Sequence, residues 1–206
     1  MTSSMWRAML LGYALGSVPI AWLAVRWASG QDLRRVGSGN IGATNAGRAS
    51  GWRLAFVVAS VDGLKGSAAV ALGTALAGGT AAGSVAGLGA VVGHLFPVWL
   101  LFHGGKGVAT AAGAFALLAP SAMGMATLVF LAVLLRWRIV SAASIAAAIV
   151  LGPAVWITGA AWDVRLAAPI TTLLIVWRHR ENIGRLMKGT EPRLGAARRQ
   201  ADRGSA

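Results

Sequence analysis

The stretch Val108–Leu135, VATAAGAFALLAPSAMGMATLVFLAVLL, decides how many times this chain crosses a membrane. It carries no charged residue, and Pro120 divides it. A helix that spans a bilayer needs roughly 20 apolar residues, with a lower limit near 17. The stretch is long for one span and short for two, so it is either one helix broken at Pro120 or two short or re-entrant helices. The first alternative gives the chain six spans and the second gives it seven.

Apolar runs extend in both directions from this stretch, separated by polar segments. They cover about Met5–Trp27, Leu54–Ala77, Thr80–Phe102, Ile139–Ala160 and Val164–Trp177. Of the 206 residues, 56% are hydrophobic and 12% are charged, whereas soluble domains carry roughly 25% charged residues. The first run is not interpreted as a cleaved signal peptide, because it is long enough to span and apolar runs continue to residue 177. We predict an all-α integral membrane protein.

The distribution of basic residues distinguishes the two topologies, because Lys and Arg concentrate in the cytoplasmic loops of membrane proteins. With seven spans and a periplasmic N-terminus, 16 of the 19 basic residues are cytoplasmic. They are Arg26, Arg34, Arg35, Arg48, Arg53, Lys106, Arg136, Arg138, Arg178, Arg180, Arg185, Lys188, Arg193, Arg198, Arg199 and Arg203. Six spans would place Lys106 and Arg136 on opposite sides. We therefore predict seven spans, with short or re-entrant helices around residues 108–135.

Composition also limits the chemistry. The net charge of +13 comes from basic segments between apolar runs, so we attribute it to topology and to anionic lipid headgroups, and we predict no nucleic-acid partner. The chain has no Cys, which excludes disulfides and thiolate nucleophiles. With only three His and six acidic residues, we predict no metal site and no cofactor.

A glycine-rich polar segment lies between the first two apolar runs. It reads Gly37-Ser38-Gly39-Asn40-Ile41-Gly42-Ala43-Thr44-Asn45 and is followed by Arg48. Glycines and small polar side chains let backbone N–H groups turn toward an anion, and Arg binds phosphate oxygens bidentately. The segment also contains G-x-G-x-x-G, the motif of dinucleotide-binding folds. That motif requires a βαβ unit, which cannot form between two membrane helices. The other alternative is a flexible spacer.

Two further polar segments precede and follow apolar runs. Gly104-Gly105-Lys106-Gly107 stands directly before an apolar helix, and a helix start, backbone amides and an ammonium together make an anion site. An interfacial turn with a snorkelling lysine is the alternative. Near the C-terminus, His179 and Asn182 share one face of a helix that continues the last run, with Arg185 beside them. The alternative for this segment is a basic helix lying on lipid headgroups.

Four polar residues lie within or beside the runs. Asp62 and Lys65 are three residues apart in the second run; charges within a membrane are often functional, although an internal ion pair explains them equally well. Ser141 and Ser144 open the run at Ile139–Ala160, where serines serve either as helix caps and packing residues or as ligand contacts.

Together these motifs resemble the PlsY family of acyl-phosphate:glycerol-3-phosphate acyltransferases. The resemblance covers Gly37–Glu191 and rests on G-S-G-N-x-G-A-T-N-x-x-R, G-H-x-F-P, G-G-K-G-V-A-T and H-R-x-N-I-x-R-L-x-x-G-x-E. It implies transfer of a fatty acyl group from acyl-phosphate to glycerol 3-phosphate, giving lysophosphatidic acid and phosphate, as the first step of membrane phospholipid synthesis. It also implies a cytoplasm-facing site in the bacterial inner membrane. The expected partners are the two substrates, membrane lipids and the enzyme that supplies acyl-phosphate.

The resemblance also implies which residues act. The expected catalytic residues are Ser38, Arg48, His179 and Asn182. The expected substrate-binding residues are Gly37, Gly39, Asn40, Gly42, Thr44, Asn45, Gly104, Gly105, Lys106, Gly107, Ser141, Ser144 and Arg185. Glu191 matches a position that looks structural in the family, and His103 stands where many members have Lys. Residues 1–191 are expected to form one transmembrane acyltransferase domain, followed by a basic, flexible tail at 192–206.

The residues themselves favour direct acyl transfer. Acyl-phosphate already carries a good leaving group, and no carboxylate stands five residues after His94, His103 or His179, so the His-x4-Asp pair of other lipid acyltransferases is absent. An acyl-Ser38 intermediate is less favoured, because no base neighbours Ser38 in sequence. The proton acceptor stays open between His179 and a substrate phosphate oxygen. A small-anion transporter and a CDP-alcohol phosphotransferase are the competing functions; the latter needs a metal-binding Asp cluster that does not follow Asp62.

Overall fold

The computed structural model describes residues 2–195, and within this range the chain is all-helical. Ten α-helices follow one another: α1 (Ser3–Ser17), α2 (Ile20–Ser29), α3 (Ala43–Ser50), α4 (Trp52–Ala77), α5 (Gly79–Leu95), α6 (Val108–Leu118), α7 (Pro120–Trp137), α8 (Val140–Ile157), α9 (Trp162–Arg178) and α10 (Arg180–Met187). Single 3-10 turns stand at Leu33–Arg35 and Val98–Leu100. The predicted all-α class is confirmed. The predicted flexibility of the tail concerns mainly residues 196–206, which lie outside the described residues.

The predicted break at Pro120 is confirmed. Helix α6 ends at Leu118, Ala119 is extended (φ −151°, ψ 70°), and Pro120 is the first residue of α7. Within residues 2–195, five helical segments are long and apolar enough to cross a membrane: Ser3–Ser29, Trp52–Ala77, Gly79–Leu100, Pro120–Trp137 and Val140–Ile157. Helix α6, with 11 residues, and α9, with 17, complete the bundle.

Pro19 breaks the first apolar run, which hydropathy alone predicts to be one helix. Proline has no N–H group and disfavours helical geometry in the residue before it, so α1 ends at Ser17 and α2 begins at Ile20. The break leaves backbone carbonyls without helical partners, and the Lys65 ammonium donates to the Val18 carbonyl at 3.1 Å. Lys65 also pairs with Asp62 at 2.8 Å. The internal ion pair proposed for these two residues is therefore present, and it supports the break.

Small residues let the helices of the bundle approach closely. The core consists mainly of Ala, Val and Leu, and α1 packs along α5 through Gly12 and Gly16 on one side and Gly89 and Gly93 on the other. A Cβ atom on Gly12 would overlap the backbone carbonyl of Ala86. Such small-residue contacts are how transmembrane helices pack without a hydrophobic driving force.

Replacing Gly12 with alanine is expected to lower the free energy of unfolding by about 1–3 kcal/mol or more, because two helix backbones must move apart. Gly124 in α7 is the matched control, since among the described residues a Cβ added there meets no heavy atom within 4 Å apart from its chain neighbours and its own helix backbone. Gly124→Ala should raise stability by roughly 0.5–1 kcal/mol through helix propensity alone. Thermal melting of both variants in detergent measures the difference; equal melting temperatures would contradict the close packing of α1 on α5.

The polar segments singled out in the sequence meet at one end of the bundle. At this end lie the C-terminal ends of α5 and α9 and the N-terminal ends of α6 and α8. Side-chain hydrogen bonds link them. At the other end, Ser84 of α5 donates to Asp163 of α9 at 2.6 Å, and Ala119 lies beside Thr158 and Ala160. The helices therefore carry residues far apart in sequence to one common face.

Candidate active site

Asn45 shapes the glycine-rich loop that follows α2. Its side chain is 1% exposed; Oδ1 accepts from the Ser38 N–H at 3.1 Å, and Nδ2 donates to the carbonyls of Val36 at 2.8 Å and Leu33 at 3.3 Å. The amide of Asn45 is thus used within the loop, in contrast to the expected substrate contact. Gly37 packs against it, because a Cβ there would overlap Oδ1 of Asn45. Ser38 itself is exposed.

A short helix, α3, begins inside this loop and was not predicted. Gly42 is its N-cap, and within the described residues no side chain caps this helix start. Thr44 lies in its first turn, and the exposed Arg48 follows one turn later. An uncapped helix start with an Arg one turn away is suited to an anion. The remaining expected loop residues, Gly39 and Asn40, are half-buried on the approach to this helix.

The Gly104–Gly107 loop crosses between the ends of α5 and α9. The N–H groups of Gly104 and Gly105 donate to the carbonyls of Leu95 at 3.1 Å and His94 at 3.0 Å. These two N–H groups are therefore not available to an anion, contrary to the sequence-based expectation; they occupy carbonyls that the end of α5 leaves without helical partners. A Cβ on Gly105 would stand 2.7 Å from the Ile41 carbonyl, so the two predicted anion-binding loops are in contact.

Gly107 and Lys106 end this loop at the start of α6. Gly107 has a φ of +78°, a conformation that strongly favours glycine, and it is the N-cap of α6. The ammonium of Lys106 donates to Oδ1 of Asn182. Burial lowers the pKa of Lys106 to about 8; Glu191 opposes this effect, while Arg185 and Arg48 add to it. Lys106 is therefore mostly protonated at pH 7 and carries a charge that an anionic substrate can neutralise.

His179 separates α9 from α10 and is 2% exposed. Its Nδ1 lies 2.8 Å from the Ile175 carbonyl, and because a carbonyl only accepts, Nδ1 carries the hydrogen. Burial, followed by repulsion from Lys106, lowers the pKa of His179 to about 4. The ring is neutral at pH 7, and its Nε2 is a hydrogen-bond acceptor.

Glu191 joins three of the expected site residues. Its carboxylate accepts from the hydroxyl of Ser141 at 2.7 Å, from Nδ2 of Asn182 and from Nε of Arg185 at 2.6 Å. Burial raises the pKa of Glu191, but these three hydrogen bonds outweigh burial and hold it below its usual value. Glu191 is therefore ionised at pH 7, and it anchors the segment after α10 to the start of α8.

Ser144, His103 and His94 occupy different surroundings. The buried Ser144 donates to the Val140 carbonyl at 2.9 Å, as serines within helices do. His103 is exposed, and its ring bonds the Leu101 carbonyl. His94 lies beneath Gly105, with its Nδ1 3.5 Å from Asp62. His94 thus lies between the buried Asp62 of α4 and the Gly104–Gly107 loop.

One family profile, glycerol-3-phosphate acyltransferase, matches residues 6–189. The chain belongs to this family. The glycerol-3-phosphate acyltransferase 1 of Deinococcus radiodurans is 47% identical over 199 residues, which cover 95% of this chain and 98% of the relative. The glycerol-3-phosphate acyltransferase of Agrobacterium fabrum is 44% identical over 190 residues, which cover 91% of each chain.

The fold is also that of a solved glycerol-3-phosphate acyltransferase. PlsY, an integral membrane enzyme, has been crystallised in a glycerol 3-phosphate form that matches this chain with a TM-score of 0.89 and 38% identity, over 95% of this chain and 98% of PlsY. Its lysophosphatidic acid form matches with a TM-score of 0.84 and 36% identity, over 95% and 97% of the two chains. The resemblance to the PlsY family inferred from the motifs is confirmed.

One residue that contacts the candidate site, Arg178, is not singled out by the sequence motifs. Arg178 donates to the carbonyls of Gly104 at 2.7 Å and Gly105 at 3.0 Å. From the sequence, Arg178 is predicted only to be one of the cytoplasmic basic residues. Its position directly before His179 was the available signal, because neighbours in a chain reach the same region of the fold.

Proposed function

We propose that this family member transfers a fatty acyl group from acyl-phosphate to glycerol 3-phosphate, giving lysophosphatidic acid and inorganic phosphate. In the cell this reaction is the first step of membrane phospholipid synthesis. The observation that carries the proposal is the contact of Lys106 with Asn182 beside the neutral ring of His179. It combines a phosphate-binding cation with a hydrogen-bond acceptor for a hydroxyl group. The glycerol 3-phosphate and lysophosphatidic acid forms of PlsY support the same substrate and product.

The proposed reaction is a single displacement. A hydroxyl oxygen of glycerol 3-phosphate attacks the carbonyl carbon of acyl-phosphate, a new ester bond forms, and the carbon–oxygen bond to phosphate breaks. Lys106 and Arg48 bind phosphate groups. Asn182 holds Lys106 in place by direct contact. Arg185 supports Asn182 indirectly, because both donate to the carboxylate of Glu191. Positioning and charge stabilisation supply the rate enhancement, because the leaving group needs no further activation.

The attacking hydroxyl loses its proton during this step. His179 accepts a hydrogen bond at Nε2 and orients the hydroxyl, but a pKa of about 4 makes it a weak base. Phosphate monoesters have a second pKa of about 6 and accept the proton more readily. We therefore assign the proton to a substrate phosphate oxygen and orientation of the hydroxyl to His179.

The loop Gly37–Asn45 is proposed to bind the acyl-phosphate headgroup. The start of α3 faces the phosphate, and the exposed Ser38 donates its hydroxyl hydrogen to the carbonyl oxygen that becomes negative. Within residues 2–195 the Ser38 hydroxyl forms no hydrogen bond with a base. That arrangement supports direct transfer over an acyl-Ser38 intermediate.

The proposed topology has seven spans, with α1 and α2 counted together, and α6, with 11 residues, is the shortest of them. The N-terminus is periplasmic, and the site faces the cytoplasm from the bacterial inner membrane. The alternation of connections between the two ends of the bundle supports this arrangement, as does the concentration of Lys and Arg at the site end.

Single cysteines introduced at Ser3 and Ser205 are expected to react with a membrane-impermeant thiol reagent from opposite sides of the inner membrane. The chain has no cysteine of its own, so each label reports one position. The reagent should label the Ser3 position in intact spheroplasts and the Ser205 position only after lysis. Labelling of both positions from one side would exclude an odd number of spans.

The dissociation constant for glycerol 3-phosphate is expected to rise above pH 8. The free site loses the Lys106 proton as the pH passes its pKa of about 8, so affinity for the phosphate dianion should fall by up to about tenfold per pH unit. Lys106→Arg should keep affinity constant across this range, because Arg stays protonated. Calorimetric titration without acyl-phosphate measures both profiles; identical slopes would contradict the assignment to Lys106.

The proposed function is tested by lysophosphatidic acid formation with purified protein. Acyl-phosphate should support turnover, whereas acyl-CoA and acyl-carrier protein should serve poorly or not at all. EDTA should leave the rate unchanged, since within residues 2–195 no three His, Asp or Glu side chains group as metal ligands. Robust turnover with acyl-CoA alone, or a strict need for divalent cations, would overturn the proposal.

A further inference from the structure

Arg178, the last residue of α9, binds two consecutive backbone carbonyls. Nη2 donates to Gly104 at 2.7 Å and Nε donates to Gly105 at 3.0 Å. The planar guanidinium carries parallel N–H donors, which an ammonium group lacks. The two acceptors directly precede Lys106, so this side chain holds the main chain that leads into the lysine.

The opposite edge of the same two peptides is held by α5. The N–H groups of Gly104 and Gly105 donate to the carbonyls of Leu95 and His94. The Gly104–Gly105 segment is thus fixed between the C-terminal ends of two helices. Without such contacts the loop would have unusual conformational freedom, because it contains Gly104, Gly105 and Gly107. On the α9 side, Arg178 restricts this freedom by binding the backbone.

Lys106 is consequently fixed at two points by one short segment of chain. Arg178 holds its preceding backbone, and Asn182 accepts from its ammonium. His179, the neutral acceptor of the site, lies between these two residues. The segment from 178 to 182 therefore sets the position of Lys106 relative to the His179 ring.

We propose that Arg178 is a positioning residue that sets the affinity for glycerol 3-phosphate by holding the backbone of Lys106. The inference rests on the proposed function of Lys106 as a phosphate-binding residue. Arg178 touches neither substrate and acts through the loop. Its loss leaves Lys106 charged but free to move, so binding of the phosphate weakens while the chemistry of bound substrate changes little.

The test compares Arg178→Ala with Arg136→Ala. Arg136 is a matched control, because it is also an arginine at the end of a helix and stacks on a neighbouring tryptophan, 5.5 Å from the Trp137 ring, as Arg178 stacks 5.9 Å from the Trp177 ring. Arg178→Ala should raise KM and the calorimetric dissociation constant for glycerol 3-phosphate at least tenfold. The KM for acyl-phosphate and kcat should change less than threefold, and Arg136→Ala should behave as wild type.

Arg178→Lys separates positioning from general stability. A lysine restores the charge and one hydrogen bond but not the pair, so its KM for glycerol 3-phosphate should lie between those of the wild type and Arg178→Ala. If Arg178→Ala does not accumulate in membranes, Arg178→Lys decides the question by the same selective change in KM. An unchanged dissociation constant, or equal losses for both substrates, would falsify the inference. Failure of the proposed function is distinguishable, because wild-type protein would then form no lysophosphatidic acid.

Discussion

Replacing Lys106 with alanine is expected to lower kcat/KM for glycerol 3-phosphate by about ten- to a hundredfold or more, because a charge-assisted hydrogen bond contributes roughly 1.5–3 kcal/mol. Lys106 is half-buried, and its ammonium donates to Oδ1 of Asn182. Its interaction with phosphate is therefore less screened than at a surface. Most of the loss should appear in KM for glycerol 3-phosphate, measured as initial rates in detergent or nanodiscs.

Two variants distinguish the charge of Lys106 from its apolar stem. Lys106→Met keeps the length of the side chain without the charge, so it should be as impaired as Lys106→Ala. Lys188, an exposed lysine directly after α10, is the control, and Lys188→Ala should keep wild-type kinetics. Near-normal kcat/KM in Lys106→Met would show that Lys106 does not bind phosphate.

Replacing Glu191 with alanine is expected to lower the free energy of unfolding by roughly 2–4 kcal/mol, since removing one partner of a buried ion pair leaves the other donors unpaired. Ser141, Asn182 and Arg185 lose their common acceptor. We expect a loss toward the lower end of what breaking a buried ion pair costs, because the Arg185 side chain is 35% exposed. Activity should fall as well, because Asn182 is no longer held against Lys106.

The control for this variant is Glu181→Ala, because Glu181 is an exposed acid on the first turn of α10. Its loss should change the melting temperature little. Glu191→Gln retains an acceptor for Ser141 but loses the charge facing Arg185, and it should be intermediate. A melting temperature of Glu191→Ala equal to that of wild type would show that the three contacts contribute no stability.

The long apolar helices of the bundle were predictable from hydropathy. The breaks between them were predictable only in part. Pro120 was identified because it divides an apolar stretch of ambiguous length. Pro19 was not, because the run around it remains long enough for one span when the break is ignored. Helix α3 is not evident in the sequence because it is short and Gly47 lowers its helix propensity, and packing of α3 on α4 supplies what the local sequence lacks.

The residue types of the site were predictable from the motifs, but their individual roles were not. Asn45 and Gly104 were expected to contact an anion, and instead their polar groups bond the protein. A sequence motif records that a residue type is needed at a position, and ligand contact and loop support can require the same residue. Glu191 was the reverse case, since its structural role was expected and its three partners are now identified.

The sequence by itself determined that this protein is a helical membrane protein of the glycerol-3-phosphate acyltransferase family. Apolar runs of spanning length and long polar motifs are local properties of the sequence, so they can be recognised without knowing how the helices pack. Only the tertiary structure decided that Arg178 holds the Gly104–Gly105 backbone and that His179 is a neutral acceptor. Those properties depend on burial and on distances between residues more than 70 positions apart in the chain, which arise when the helix ends assemble at one face.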